Sequence, residues 1–197
     1  MKSDIILSGV GGQGIVSIAA TIAMAALDSN LNIKQSEVHG MSQRGGAVYS
    51  HLRISDTDIS SDLIPMGKAD IIISVEPMES LRYLPWLKED GWLVTNATPF
   101  INIPDYPDLK TLYSEIEKFP NHILINADEI ARQVKSPRSS NIVMLGAATP
   151  FLEIPLDNFD SAIKKIFSRK GEKVVEQNIQ AFYAGREFSL THQKEKV

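Results

Sequence analysis

Short apolar runs alternate with longer helix-forming stretches along most of this chain. The first run, residues 5–7, is Ile-Ile-Leu, and a glycine-rich turn and an Ala- and Ile-rich stretch follow it at once. Short apolar runs bounded by turns are typical of buried parallel strands, whereas longer stretches of good helix formers favour helices. The pattern predicts strands at residues 5–7, 31–38, 47–54, 69–75, 92–96 and 122–126, and helices at 15–27, 78–88, 109–118, 127–134, 158–168 and 172–186.

The order of these elements predicts a single Rossmann-like α/β domain, with an open, mostly parallel sheet and helices on both faces. Strand 47–54 differs from the others because apolar and polar side chains alternate in it, which makes it a candidate for antiparallel pairing. Ser139, Ser140 and Asn141 are predicted to cap a helix that contains the apolar run 142–145. We expect the domain to cover residues 1–190, followed by a polar tail, 191–197, that frays.

The composition of the chain excludes several kinds of functional site. The 197 residues include no cysteine, which excludes disulfides, thiolate zinc sites, cysteine nucleophiles and cysteine-ligated iron–sulfur clusters within this chain. The net charge of −4 disfavours general nucleic-acid binding, which needs a basic face. The sequence contains neither an apolar run of about 18 residues nor a signal-peptide pattern. We therefore expect no membrane partner and a cytoplasmic location.

The glycine-rich turn matches the spacing of a dinucleotide-binding fingerprint. Gly9, Gly11 and Gly14 stand between a predicted strand and a predicted helix, where backbone N–H groups can approach an anion at the helix N-terminus. Glu37 follows 23 residues after Gly14, near the place of the acidic residue that binds ribose in such folds. Two interpretations stay open, an anion site and a turn that only lets the helix pack closely. The candidate binding residues are Gly11, Gly12, Gln13 and Gly14.

A second polar loop follows the strand predicted at 31–38. It leaves the carboxyl end of that strand, which is the side of an open α/β sheet where ligands bind. Arg44 lies among glycines, and its planar guanidinium suits a phosphate or a carboxylate. The alternative is a solvated loop held by its own hydrogen bonds. The candidate residues around this loop are Glu37, His39, Met41, Ser42, Gln43 and Arg44.

Residues able to carry out catalysis are scarce. His39 is the one histidine in a plausible site, no pair of histidines has metal-ligand spacing, and no Gly-x-Ser-x-Gly motif occurs. Glu76 and Glu79 stand at a predicted helix start, where carboxylates are favoured by the helix dipole. We therefore predict that the chain has no catalytic residue and no metal ligand, and that it is not an enzyme by itself.

Several motifs together resemble one protein family, the gamma subunits or domains of 2-oxoacid:ferredoxin oxidoreductases. More narrowly, the chain resembles the small subunits of the indolepyruvate type. Stretches 141–146 and 178–185 extend the likeness beyond the N-terminal half. The motifs are Gly9-Val-Gly-Gly-Gln-Gly14, the stretch 36–46, Leu63-Ile-Pro65, Gly67-Lys-Ala-Asp70, and Glu76-Pro77 with Glu79, Leu81, Arg82 and Tyr83.

The resemblance implies a role in a larger enzyme. Members of the family oxidatively decarboxylate a 2-oxoacid on thiamine diphosphate, pass electrons through [4Fe–4S] clusters to ferredoxin and release an acyl-CoA. In the indolepyruvate type the large subunit holds the thiamine and cluster sites, so this chain would shape the site without a tightly bound cofactor. Residues 11–14 would line a phosphate-facing turn, with coenzyme A as a candidate ligand. The loop facing the partner's active site would consist of His39, Met41, Ser42, Gln43 and Arg44. The alternatives are an independent NAD-binding dehydrogenase or regulator and a purely structural interaction subunit.

Overall fold

The computed structural model describes residues 1–39 and 45–195. Each of the six predicted strands is present, and together they form one sheet. The strands are β1 (Lys2–Val10), β2 (Asn32–His39), β3 (Ala47–Ser55), β4 (Ala69–Ser74), β5 (Leu87–Asn96) and β6 (His122–Ile125). Their order across the sheet is β2-β3-β1-β4-β5-β6. The predicted fold class, an open and mostly parallel α/β sheet, is confirmed.

Five of these six strands run in the same direction. β1, β4, β5 and β6 pair in parallel, whereas β3 pairs antiparallel with both β1 and β2. β2 therefore runs the same way as β1 but lies one strand further out. The ladder between β3 and β1 is continuous from Lys2 opposite Ser55 to Val10 opposite Ala47. This confirms the antiparallel pairing predicted from the alternating pattern of β3.

Helices cover both faces of the sheet. Those in the described residues are α1 (Ile15–Asp28), α2 (Pro77–Arg82), α3 (Leu109–Glu117), α4 (Ala127–Gln133), α5 (Ser140–Ala148), α6 (Leu156–Phe167) and α7 (Glu172–Glu195). Ile5 and Leu7 of β1 pack in the core that contains α1 and α4 to α7, and Ile6 packs on the other face with α2 and α3. An apolar strand needs such cover on both sides. No helix in the described part of the chain is both long and apolar enough to cross a membrane.

Helices α5 and α7 are in direct backbone contact at two glycines. All residues of α5 from Ile142 to Ala148 are buried. A Cβ atom at Gly146 would overlap the carbonyl oxygen of Phe182, and a Cβ atom at Gly185 would overlap that of Val143. The two glycines therefore set the distance at which α7 covers α5, and α5 in turn lies against the sheet.

The helix predicted at 78–88 is wrong in its second half. α2 ends at Arg82, a 3-10 turn follows at Leu84–Trp86, and β5 begins at Leu87, five residues before the predicted start at 92. Pro85 cannot donate a backbone hydrogen bond within a helix. Leu87 lies opposite Ala69 of β4, so pairing with a distant strand overrides the local helical pattern.

The tail predicted to fray from residue 191 is helical as far as Glu195. The ring of His192 stacks on that of Phe188 one turn earlier, with the ring centroids 5.3 Å apart. Side chains four residues apart lie on one helix face, so this contact extends α7 beyond the last strongly apolar position.

Candidate functional site

One edge of the sheet brings together the glycine turn and the polar loop that the sequence singles out. β1, β2, β4, β5 and β6 all end at this edge, and α1, α2 and α4 begin there. α1 packs on one face of the sheet and α2 on the other. A crevice therefore opens between the ends of β1 and β4, which is where open α/β sheets bind their ligands.

The turn between β1 and α1 needs glycine at two positions. Gly12 and Gly14 have φ angles of 103° and 85°, which L side chains rarely adopt. A Cβ atom at Gly14 would lie 2.5 Å from Nδ2 of Asn141, whereas no described atom lies within 4 Å of the Cβ position of Gly12. The amide of Asn141 donates a hydrogen bond to the carbonyl oxygen of Gly14 at 3.2 Å. Gly14 thus lets the start of α5 approach the start of α1, and Gly12 leaves the turn open.

Gln13 holds the turn from inside. Its Oε1 accepts a hydrogen bond from the backbone N–H of Val10 at 2.7 Å, and its Nε2 donates to the carbonyl oxygen of Val75 at 3.3 Å. The side-chain amide therefore joins the end of β1 to the residue that follows β4. This pairing gives Gln13 a role in shaping the turn, in a position where dinucleotide folds often have an apolar residue.

The glycine turn also contacts the second loop. The N–H of Gly11 donates to the carbonyl oxygen of Gly46 at 2.8 Å, and the N–H of Gly45 donates to the carbonyl oxygen of Gly11 at 3.3 Å. The two regions that the sequence marked as candidate sites are therefore adjacent. Four candidate residues lie outside the described part of the chain, so their roles stay predictions; they are Met41, Ser42, Gln43 and Arg44.

Glu37 does not take the position of a ribose-binding carboxylate. It lies on β2 two residues before His39, which ends the strand opposite Val48. In dinucleotide folds the strand that carries this acid is next to the strand before the glycine turn. Here β3 lies between them, and two strand spacings separate β2 from β1 by about 10 Å. The geometry therefore does not favour the NAD-binding alternative.

A pocket of about 220 Å³ opens at this edge. Its walls come from the glycine turn, Val75 after β4, the connection after β5, and the N-terminal halves of α4 and α5, so five separate segments of the chain build it. Six of the ten lining residues are polar. The lining residues are Gln13, Val75, Asn96, Thr98, Pro99, Phe100, Asp128, Ser140, Asn141 and Met144.

Asn96, the last residue of β5, fixes the base of this pocket. Its Nδ2 donates to Oδ2 of Asp128 at 2.9 Å and to the carbonyl oxygen of Val75 at 3.4 Å, and its Oδ1 accepts from the backbone N–H groups of Thr98 and Ala127 at 3.3 and 3.1 Å. The residue is 4% exposed. A buried amide with this many partners has one orientation, and it ties β4, β5 and α4 together.

Glu76 anchors the connection between β5 and α3. Its buried carboxylate caps α2 by accepting from the N–H of Glu79 at 2.8 Å, and it also accepts from the N–H of Phe100 and from the hydroxyl of Tyr106. Burial and the bond to Glu76 raise the pKa of Tyr106 above its ordinary value of 10.0. Burial raises the pKa of Glu79, and Arg82 beside it opposes that shift. The helix-start role predicted for both glutamates is confirmed.

Some residues of this site were missed from the sequence. Asn96 ends a predicted strand and Asp128 lies at the start of a predicted helix, and neither is predicted from the sequence to take part in binding. Polar residues at the carboxyl ends of parallel strands are nevertheless typical of the edge of a sheet that binds ligands. The capping prediction for α5 is wrong in detail. Ser139 holds the N-cap position without a side-chain capping bond, its hydroxyl bonds to Ser136 at 2.6 Å, and Asn141 reaches across to Gly14.

The contact between Gly14 and Asn141 leads to a prediction. Gly14→Ala is expected to destabilise the protein by about 2 kcal/mol, since a non-glycine residue in a left-handed conformation costs roughly 1–2 kcal/mol and the new methyl group meets the Asn141 amide. Adding Asn141→Ala should restore part of the loss, because it removes the clash but not the backbone strain. Urea denaturation of the wild type, both single variants and the double variant measures this coupling. A double variant whose loss equals the sum of the single losses would contradict the proposed clash.

The chain is similar to proteins of one family over nearly its whole length. The sequence model of the family described as pyruvate ferredoxin/flavodoxin oxidoreductase matches residues 4–188. The protein named indolepyruvate oxidoreductase subunit IorB of Archaeoglobus fulgidus is 34% identical over 194 residues, which is 94% of this chain and 94% of that protein. The family resemblance of the sequence motifs is thereby confirmed.

Solved structures share the fold. The gamma subunit of a keto/oxoacid ferredoxin oxidoreductase from Geobacter sulfurreducens has a TM-score of 0.73 and 26% identity, over 97% of this chain and 98% of that one. A 2-oxoglutarate:ferredoxin oxidoreductase from Magnetococcus marinus, solved with 2-oxoglutarate, coenzyme A and succinyl-CoA bound, has a TM-score of 0.76 and 22% identity over 96% of this chain. The present chain spans 31% of that longer polypeptide. From the extent of the family match, this chain belongs to the pyruvate ferredoxin/flavodoxin oxidoreductase family.

Proposed function

We propose that this chain is the small subunit of an indolepyruvate:ferredoxin oxidoreductase. The observation that carries the proposal is the 34% identity to the Archaeoglobus fulgidus subunit over 94% of both chains. The enzyme would oxidatively decarboxylate an aryl pyruvate to an acyl-CoA and pass two electrons to ferredoxin. This chain would complete and shape the active site of a larger partner subunit.

The residue content supports this division of labour. The 197 residues include no cysteine, so [4Fe–4S] clusters ligated by cysteine would be held by another chain. The side chains of Gln13, Glu76 and Asn96 are engaged in hydrogen bonds within the protein, mostly to backbone groups. Such a site can position a ligand and exclude water. We assign the thiamine diphosphate and the clusters to the partner subunit, through which ferredoxin would also be reached.

The glycine turn fits the phosphate part of a ligand such as coenzyme A. No described atom lies within 4 Å of the Cβ position of Gly12, so a ligand can approach the backbone there. Gly14 caps α1, and the free N–H groups at a helix start favour an anion. The pocket of about 220 Å³ is smaller than the roughly 300–1,000 Å³ of ordinary cofactor sites, so it would hold only part of such a molecule. Coenzyme A, when bound, supplies the thiol that takes up the acyl group.

The test is a comparison of this chain alone, the thiamine-binding subunit alone and the two coexpressed. Each sample receives thiamine diphosphate, coenzyme A and an electron acceptor, with indolepyruvate, pyruvate or 2-oxoglutarate as substrate. We expect turnover only from the complex, and at least about tenfold higher kcat/KM for indolepyruvate, which is the discrimination that roughly 1.4 kcal/mol provides. Turnover by this chain alone would disprove the subunit role. Micromolar binding of NADH with nicotinamide-dependent turnover would favour the rejected dehydrogenase instead.

A further inference from the structure

We propose that residues 100–103, here called the apolar loop, form the docking surface for the thiamine-binding partner subunit, an inference that rests on the proposed function. Phe100, Ile101 and Ile103 are 41%, 69% and 42% exposed. Single exposed apolar side chains are common on protein surfaces, but three large ones within four residues mark a contact surface.

The apolar loop is held in place by polar bonds on both sides. The N–H of Phe100 donates to the buried carboxylate of Glu76 at 3.3 Å, and the hydroxyl of Tyr106 binds the same carboxylate. Nδ2 of Asn102 donates to the carbonyl oxygen of Gly45 at 2.6 Å. The backbone is therefore fixed while the apolar side chains between these bonds face solvent. A preorganised apolar surface loses little conformational entropy when a partner binds it.

The route of this loop places it over the candidate site. It leaves the end of β5, is bonded to Glu76 beyond the end of β4, and reaches Gly45 just before β3. Gly45 in turn bonds to Gly11 at the end of β1. The loop thus crosses the edge of the sheet above the crevice, and Phe100 also lines the pocket. A partner that covers the pocket would therefore contact Phe100.

Other exposed apolar residues lie at the same edge. Val16 is in the first turn of α1 and Val38 is near the end of β2, and both are more than 40% exposed. Together with the apolar loop they account for half of the ten large hydrophobic side chains that are exposed in the described residues. In the longer Magnetococcus marinus chain, the matching domain is joined to further domains of the same polypeptide.

The occupant we assign is the thiamine-binding subunit and not a second copy of this chain. In the described part of the candidate site, Gln13, Glu76 and Asn96 are held in hydrogen bonds within the protein, so we assign the catalytic groups to a partner. A second copy would bring no cysteine, and so no cysteine-ligated cluster, to the crevice. A thiamine-binding partner on the apolar loop would bring its own reacting centre to the open side of the pocket.

The test measures the affinity of the purified large subunit for the full-length chain by biolayer interferometry. Ile101→Glu is expected to weaken binding by about 30-fold or more, because it places a charge at the centre of an apolar contact. Leu27→Glu is the matched control. Leu27 is 62% exposed and lies in the last turn of α1, at the opposite edge of the sheet. The affinity of the Leu27→Glu variant for the large subunit should therefore stay within about twofold of the wild-type value. Both variants should melt within about 2 °C of the wild type, since both positions are exposed.

Three results would overturn the inference, and they differ from one another. If Ile101→Glu binds the large subunit as tightly as the wild type, the apolar loop is not the docking surface, although the proposed function stands. If the wild type itself does not bind the large subunit, the proposed function fails and this inference with it. If sedimentation shows a wild-type dimer that Ile101→Glu dissociates while it still binds the large subunit, the surface joins two copies of this chain.

Discussion

Replacing Gly146 with Ala is expected to lower the unfolding free energy by about 3 kcal/mol. The added methyl group would overlap the carbonyl oxygen of Phe182, so α5 and α7 would have to move apart. Overpacking a close-packed core costs about 1–3 kcal/mol and sometimes more, and here the clash is with rigid backbone. The higher helix propensity of Ala compared with Gly offsets only about 1 kcal/mol of this loss in stability. Small domains have 5–15 kcal/mol of stability, so this loss is a large share.

Chemical denaturation of the purified chain measures this effect, with Gly67→Ala as the control. Gly67 has a φ of 69°, and no described atom lies within 4 Å of its Cβ position. The same substitution there should cost only about 1–2 kcal/mol, the strain of a left-handed residue. A loss at Gly146 no greater than the loss at Gly67 would mean that the two helices do not need their close approach.

The second large effect is expected from Asn96→Asp, which should destabilise the protein by about 3 kcal/mol at pH 7. The substitution keeps the shape of the side chain but replaces the amide that donates to Asp128 and to the carbonyl oxygen of Val75. A buried carboxylate at position 96 would then face the half-buried carboxylate of Asp128 at about 2.9 Å. The loss combines a hydrogen bond to a charged group, worth roughly 1.5–3 kcal/mol, with repulsion between like charges.

This variant should regain stability in acid. The negative charge of Asp128 would raise the folded-state pKa of the carboxyl introduced at position 96 above the unfolded value of about 3.9. A raised pKa means that stability is present below the unfolded pKa and is lost as the pH rises through the folded one. The difference from the wild type should therefore shrink between pH 7 and about pH 4 in urea titrations.

The double variant Asn96→Asp/Asp128→Asn provides the control for this prediction. It reverses the direction of the hydrogen bond and removes the second charge, so it should recover most of the stability at pH 7. A double variant as unstable as Asn96→Asp alone would show that the bond between the two side chains is not the cause.

Most of the fold follows from local patterns in the sequence. The six strands and the α1 helix were predicted because uninterrupted apolar runs and glycine turns mark parallel strands and their helices. The early start of β5 at Leu87 was not predicted, since it depends on pairing with Ala69, which no local pattern records. The length of β1 has the same origin, because its first residues are strand only through their ladder with β3.

The candidate site was predictable in part. The adjacency of the two glycine-rich regions follows from strand direction, because both lie at carboxyl ends of strands. The sequence could not show that the side chain of Gln13 turns inward or that Asn96 reaches Asp128, since both depend on distances between elements. Nor could it show that β3 lies between β1 and β2. This strand order places Glu37 too far from the glycine turn to bind a ribose there.

The antiparallel strand β3 also limits how this scaffold can be redesigned. In dinucleotide folds, cofactor preference is changed by substituting the acidic residue on the strand beside the glycine turn. In this chain that residue, Glu37, is one strand too far away, so exchanging it would not create a contact to a ribose. An engineer who wanted a nicotinamide enzyme here would have to delete or reroute the hairpin formed by β2 and β3. Cofactor choice in this fold is therefore a property of chain topology, beyond the reach of point mutation.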